Sequence, residues 1–302
     1  MSAKKLVLLC WWALVLPVLA AEPLDVVYPQ VEERPPGDYG YALLELALIK
    51  SGVPYRLRMS DAPMNQERAR TELAGGRVSV IDFGAAPEFE QRFKAVYFPI
   101  DRGLSGYRLP IIHRAQAPQF ARIRSLDDLR QRVAGQGPGW ADARVLEAAG
   151  IRVVSAEFRQ LFRMVDAQRF DFYPLGLEEA HGLLERHRSE APNSIVEGTL
   201  ALHYPFARLF FVNSADDRLH DALAAGLQKA FADGSFQSML ENNALVKASL
   251  ARAAMARRTI IDIDNPLQTP AFRAIPREYF IRFVAEPAAR APVNPERRSG
   301  RP

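Results

Sequence analysis

The sequence predicts an α/β protein built as two modules in series, and three observations carry that expectation. Short apolar or β-branched runs alternate with helical periodicities from Leu24 onward. The alternation pauses after Phe83 and restarts at Tyr107. The chain has 302 residues, 48% of them hydrophobic, which is about the size at which one core gives way to two packed domains.

The elements follow in order. Lys4 and Lys5 precede the apolar run Leu6 to Leu19, and Val18-Leu19-Ala20 ends it with residues suited to signal peptidase. Residues 1–20 are therefore expected to be a signal peptide cleaved near Ala20, so that the protein is exported. The run contains Pro17 and is shorter than the ~20 apolar residues of a membrane span. Leu24 to Tyr28 is expected as a buried strand, Tyr39 to Lys50 as a largely buried helix ended by Ser51-Gly52, and Val53 to Met59 as a strand. Gln66 to Leu73 is expected as a helix stopped by Gly75-Gly76, and Val78 to Phe83 as a strand. This order, with helical crossovers, implies a parallel sheet covered on both faces.

The second module opens with a strand at Tyr107 to His113. Ser125-Leu126-Asp127-Asp128 is a capping box that starts a short helix to Arg132. After Gly135-Gln136-Gly137-Pro138-Gly139 come a helix from Trp140 to Ala149, a strand at Arg152 to Ser155, and a helix at Arg159 to Gln168. A strand at Phe170 to Tyr173 and a helix at Glu178 to Arg188 follow. An extended stretch then runs from Leu200 to Val212. Leu219, Ala222, Leu223, Gly226, Leu227, Ala230 and Phe231 recur every three or four residues, the clearest amphipathic helix in the chain. More helix follows to about Ala256, prolines make the next stretch irregular, and residues 285–302 read as a disordered tail.

Composition excludes several functions. Cys10 is the only cysteine, which removes disulfide scaffolds, cysteine-rich zinc sites and thiol enzymes. The formal charge is +4, and the arginines are spread along the chain rather than gathered in a stripe, so no nucleic-acid partner is expected. There is no G-x-S-x-G elbow, Walker loop or H-E-x-x-H motif. No catalytic residue, metal site or cofactor is expected. Candidate binding residues gather at strand ends, where open α/β sheets bind ligands. They are Tyr28 and Arg34 after the first strand, Phe83 and Gly84 after the third, then Arg92, Tyr107 and Arg108. Each alone is an ordinary core aromatic or surface arginine; their shared position marks them as a group. Gly137, Gly139 and Trp140 form either a plain strand-to-helix turn or an anion cradle of free backbone N–H groups beside a flat apolar wall.

Five phrases then add a resemblance. Glu72-Leu73-Ala74-Gly75-Gly76-Arg77-Val78, Ile123 to Leu129, Val133 to Gly137, Arg169-Phe170-Asp171 and Asp233-Gly234-Ser235-Phe236 stand in the order and spacing of short motifs from one family. From about Leu24 to Leu240 the chain resembles the bacterial periplasmic solute-binding proteins of type 2, the amino-acid-binding-like family. The resemblance implies two lobes, each a mainly parallel sheet with flanking helices, joined by two hinge strands near Tyr107–Pro110 and Leu202–Phe206. Residues 24–108 plus 204–284 would form lobe one and residues 109–203 lobe two. It also implies a monomer that captures a small polar, carboxylate-bearing solute between the lobes for an ABC-type permease, with a ligand sensor acting on a membrane signalling protein as the alternative. Arg92 matches the family's carboxylate clamp. Gly176 stands where the family has an amino-binding acid, and Glu178 is the nearest substitute. That departure, with the loss of hydroxyls at Gly137-Pro138-Gly139, argues against a simple α-amino acid.

Overall fold

The computed structural model describes residues 22–31 and 39–283. The expected signal peptide, Arg34 and the expected tail from residue 285 lie outside the described residues.

The first half contains β1 (Leu24–Val31), α1 (Tyr39–Ser51), β2 (Tyr55–Met64), α2 (Gln66–Ala74), β3 (Val80–Gly84), α3 (Pro87–Arg92), β4 (Lys94–Val96) and β5 (Tyr107–His113). The middle contains α4 (Ala117–Phe120), α5 (Leu126–Arg130), β6 (Val133–Gln136), α6 (Ala141–Ala148), β7 (Arg152–Ser155), α7 (Phe158–Asp166), β8 (Tyr173–Gly176), α8 (Ala180–Arg186), β9 (Ser194–Val196) and β10 (Leu200–His203). The chain then returns through β11 (Arg208–Val212), α9 (Asp217–Ala232), α10 (Ser235–Asn242), α11 (Ala244–Ala253), β12 (Thr259–Asp262) and α12 (Pro270–Arg273).

These elements form two lobes. In the first, β1 and β2 pair in parallel, Ser79 N–H donates to Val27 O at 2.9 Å to bring β3 alongside β1, and β3 and β4 flank β11. In the second, β6 pairs in parallel with β7 and reaches Phe172 through a parallel bridge, while β8 and β9 run antiparallel to β5. Each sheet is therefore mixed rather than uniformly parallel. β5, which crosses between the lobes, runs against β8 and β9, and β11, which returns to the first lobe, runs against β3 and β4.

The crossing strands are β5 and β10, and they pair antiparallel, with Tyr107 opposite His203 and Arg108 opposite Leu202. Tyr107 stacks on His203 with ring centroids 4.2 Å apart, and β12 pairs in parallel with β10 on the other side. The expected strand at Phe170 to Tyr173 lies instead at Tyr173–Gly176. Its register sets Pro174 opposite Pro110, so neither proline meets a neighbour that needs its missing N–H.

The first lobe's core rests on α1 against α9. Leu43, Leu44, Ala47 and Leu48 are wholly buried, as are Leu223, Leu227 and Ala230. At the crossing Gly226 is required, because a Cβ there would stand 1.9 Å from the carbonyl oxygen of Ala47. In the second lobe, α5 begins at the expected capping box: the Ser125 hydroxyl accepts from Asp128 N–H at 3.2 Å and the Asp128 carboxylate from Ser125 N–H at 3.0 Å.

Candidate functional site

A cavity of about 130 Å³ opens between the lobes beside the paired hinge strands. The first lobe and the hinge supply Arg70, Phe83, Phe89, Arg108, Phe206 and Arg208 to its wall. The second supplies Trp140, Asp142, Phe158, Leu175, Glu178 and Glu179. Each wall thus combines aromatic rings with charged groups, the apolar lining with a few polar groups that is common in small-solute sites.

Two buried ion pairs build the polar part. Arg108, on β5, reaches Asp142 at 2.5 Å, with its guanidinium carbon 4.9 Å above the Phe206 ring and 5.5 Å above that of Tyr204. The Tyr204 hydroxyl also donates to Asp142. One carboxylate on the first turn of α6 therefore grips both connections between the lobes. Burial opposes the charge on Arg108, but the surrounding acidic groups, Asp142 first and then Tyr204, Glu179 and Glu178, together outweigh it and hold the guanidinium more firmly protonated than usual. Burial pushes the Tyr204 phenol well above its ordinary range. The second pair is Arg208 on β11 with Asp82 on β3, and the Tyr28 hydroxyl donates to the same Asp82.

Glu178 is different. Both of its carboxylate oxygens are shut off from solvent and have no hydrogen-bond partner. Burial, reinforced by the neighbouring Glu179 and Asp101 carboxylates, pushes it up to about 8, against a smaller opposing pull from Arg208. Gly176 makes room for it, because a Cβ there would lie 2.8 Å from a Glu178 oxygen. Glu88 on α3 pairs with Arg144 on α6, joining one lobe to the other.

Of the residues the sequence marked, Phe83, Gly84, Arg108, Gly139, Trp140 and Glu178 stand on this wall. Tyr28 does not; it lies behind, buried, holding Asp82 in place for Arg208. Tyr107 is in the hinge, its ring stacked on His203 and its hydroxyl accepting from Phe283 N–H at 3.2 Å. Gly137 lies beneath Trp140, where a Cβ would meet the indole at 2.5 Å. Arg92, the expected clamp, is off the cavity: α3 turns Phe89 to the wall and ends at an exposed Arg92 whose guanidinium carbon lies 5.2 Å from the Phe93 ring centroid. The anion cradle is also altered, because Trp140 N–H donates to Gly137 O at 3.2 Å and Asp142 supplies negative charge to the first turn of α6.

Sequence reasoning missed Asp82, Asp142, Tyr204, Phe206 and Arg208. Asp142 had a signal, an acid in the first turn after a glycine-rich run. Arg208 and Asp82 had none, because they meet only through the β11–β3 register, which sets Arg208 opposite Gly84 and Phe210 opposite Asp82.

No family model matches the sequence, and no curated protein matches it either. Solved structures do resemble the fold. A histidine kinase sensor domain with similarity to periplasmic binding proteins is 15% identical, with a TM-score of 0.53 over 73% of this chain and 95% of its own. The arginine-bound amino-acid ABC transporter substrate-binding protein AbpA of Streptococcus pneumoniae is 16% identical, with a TM-score of 0.51 over 75% and 95%. An ancestral arginine-binding protein bound to arginine is 16% identical, with a TM-score of 0.52 over 72% and 96%. Together with the two lobes, the paired crossing strands and the cavity beside them, these likenesses show that the chain has the two-lobed fold of the type 2 periplasmic solute-binding proteins.

Proposed function

We propose that the protein is a periplasmic solute-binding protein that takes a small polar, carboxylate-bearing solute between its lobes and presents it to an ABC-type permease. The observation that carries this reading is the interlobe cavity, whose wall is shared by both lobes on either side of the paired crossing strands. A solute touching both walls favours the closed arrangement over an open one, which is how such a fold signals occupancy. The lobes would comprise residues 24–108 plus 204–284 and residues 109–203, and the protein would act as a monomer.

Arg108 takes the role first expected of Arg92. Its Nε is buried without a hydrogen-bond partner, an N–H available to a solute carboxylate. Phe83 and Trp140 are the apolar walls, with Gly84 and Gly139 lining the gap and Glu178 on the far side. Binding is favoured over catalysis because Ser105, the one hydroxyl residue among the described lining, donates to Asp101, and no histidine accompanies it. A second reading, a sensor that reports occupancy to a membrane signalling protein, is favoured by the likeness to a kinase sensor domain.

Trp140 makes the test direct, because it is the only tryptophan after Trp12. A panel of carboxylates and amino acids is expected to include a ligand that raises the melting temperature and shifts Trp140 emission. Silence of both signals across the panel would rule the reading out. Cross-linking in cell envelopes would then capture a permease or a signalling protein.

A further inference from the structure

On the other side of Glu178 from the interlobe cavity lies a second cavity, of about 110 Å³. The two share Glu178, Glu179, Leu183 and Arg208 but otherwise have separate walls. This one is bounded by Tyr39 at the start of α1, by Leu104, and by Leu240, Leu245 and Val246 of α10 and α11, with Leu245 exposed at its rim.

Most of its charged groups are already engaged. The Asp101 carboxylate accepts from Gly103 N–H, Ser105 N–H and the Ser105 hydroxyl. Glu179 accepts from Gly176 N–H at 3.2 Å, Arg208 is paired with Asp82, and Arg186 has a partner of its own. What is left is the Tyr39 hydroxyl and both Glu178 oxygens, buried and without hydrogen-bond partners. Once Glu178 gives up the proton that burial keeps on it, its two oxygens and the Tyr39 hydroxyl oxygen are three acceptors at one end of an apolar pocket, matching the three donors of an ammonium group.

We propose that this cavity is a second binding site, specific for a small primary alkylammonium ion. The ammonium group sits between the Tyr39 hydroxyl and the Glu178 carboxylate, and the alkyl chain lies against Leu240, Leu245 and Val246. An apolar cavity of about 150 Å³ holds a benzene molecule, so this one suits about four or five heavy atoms. Burial keeps a proton on Glu178, and an incoming cation displaces that proton to solvent as it takes the carboxylate as counter-ion. The proposal does not rest on the identity of the interlobe solute, although Glu178 lines both cavities.

Isothermal titration of the purified chain with isobutylammonium chloride, against isobutanol as its neutral counterpart, tests this. The amine is expected to bind saturably with proton release, and the alcohol at least about tenfold more weakly. Glu178→Gln should weaken amine binding by at least about tenfold. Val246→Trp, which fills the pocket away from the interlobe wall, should abolish it. Leu245→Lys changes an exposed residue, so it folds, and it sets a competing ammonium at the rim that should weaken binding at least about threefold. Equal binding of amine and alcohol, amine binding unchanged in Leu245→Lys, or no binding by either probe would overturn the proposal. A carboxylate that still shifts Trp140 emission in Val246→Trp would leave the interlobe reading standing on its own.

Discussion

Asp142 and Glu178 stand on the same cavity wall and bury their carboxylates in opposite ways. Asp142 is matched, with Arg108 at 2.5 Å and the Tyr204 hydroxyl donating to it. Removing one partner of such a pair strands the other charge in a dry site, which costs about 3–5 kcal/mol. Asp142→Asn should therefore lower stability in urea by about 3 kcal/mol, and Arg108→Met in the same chain should recover part of that loss; additive losses would show that the pair does not act as a unit. Glu178 is unmatched, and burial raises it from 4.5 to about 8. Between those values the folded protein keeps a proton that the unfolded chain has lost, so Glu178 makes stability fall as pH rises, by at most about 1.4 kcal/mol per pH unit. Glu178→Gln should match the parent at about pH 4.5 and melt higher than it at about pH 9, as read by calorimetry. His181, which burial lowers to about 4, weakens both proteins alike in acid, so their difference isolates Glu178. A constant offset between the two melting curves would show that Glu178 is ionised in the fold.

At the scale of single elements, close approach and capping decide which positions tolerate change. Gly226 on α9 lets α1 pass so near that any Cβ would strike the Ala47 carbonyl. Backbone cannot move aside as a side-chain tip can, so Gly226→Ala should cost about 3 kcal/mol, the upper part of the range for overpacking. Ser125→Ala, which removes only one half of a capping box, should cost about 1 kcal/mol. Equal unfolding midpoints for these two variants would show that the helix crossing relaxes. Both features were legible in the sequence, the box from its residue spacing and α9 from its periodicity, and β5 and β7 appear at their expected bounds. The elements missed were α3, β4, α4, β9, β12 and α12, none longer than six residues. A strand such as Thr259–Asp262 has little pattern of its own, and its pairing with β10, some sixty residues away, is what makes it a strand.

For the whole molecule, the division into two lobes was readable because alternation of strand and helix is a local property. The site was only half readable because its parts come together across the lobes. Phe83, Trp140 and Glu178 sit where a strand or turn ends, and that position is visible in one dimension. The pairing of Arg108 with Asp142, or of Arg208 with Asp82, depends on how the sheets and lobes lie against each other. The same reasoning makes the Glu88–Arg144 pair informative, since it ties α3 of one lobe to α6 of the other. Both side chains are nearly half exposed, at 43% and 46%, so the pair is worth about 1 kcal/mol at most. Its effect on overall stability should be small, but all of that energy acts on the balance between closed and open lobes and can shift it roughly fivefold. Glu88→Arg should therefore leave the unfolding midpoint nearly unchanged while making Trp140 more accessible to acrylamide quenching, and Arg144→Glu in the same chain should restore protection by reversing the pair. Trp140 is the only tryptophan among the described residues, so the quenching reports on the cleft alone. The protection should also weaken with added salt, as an exposed ion pair requires. Quenching that is the same in the single and double variants would mean that the lobes are held by Asp142 and the hinge strands, with the Glu88–Arg144 pair contributing nothing to closure.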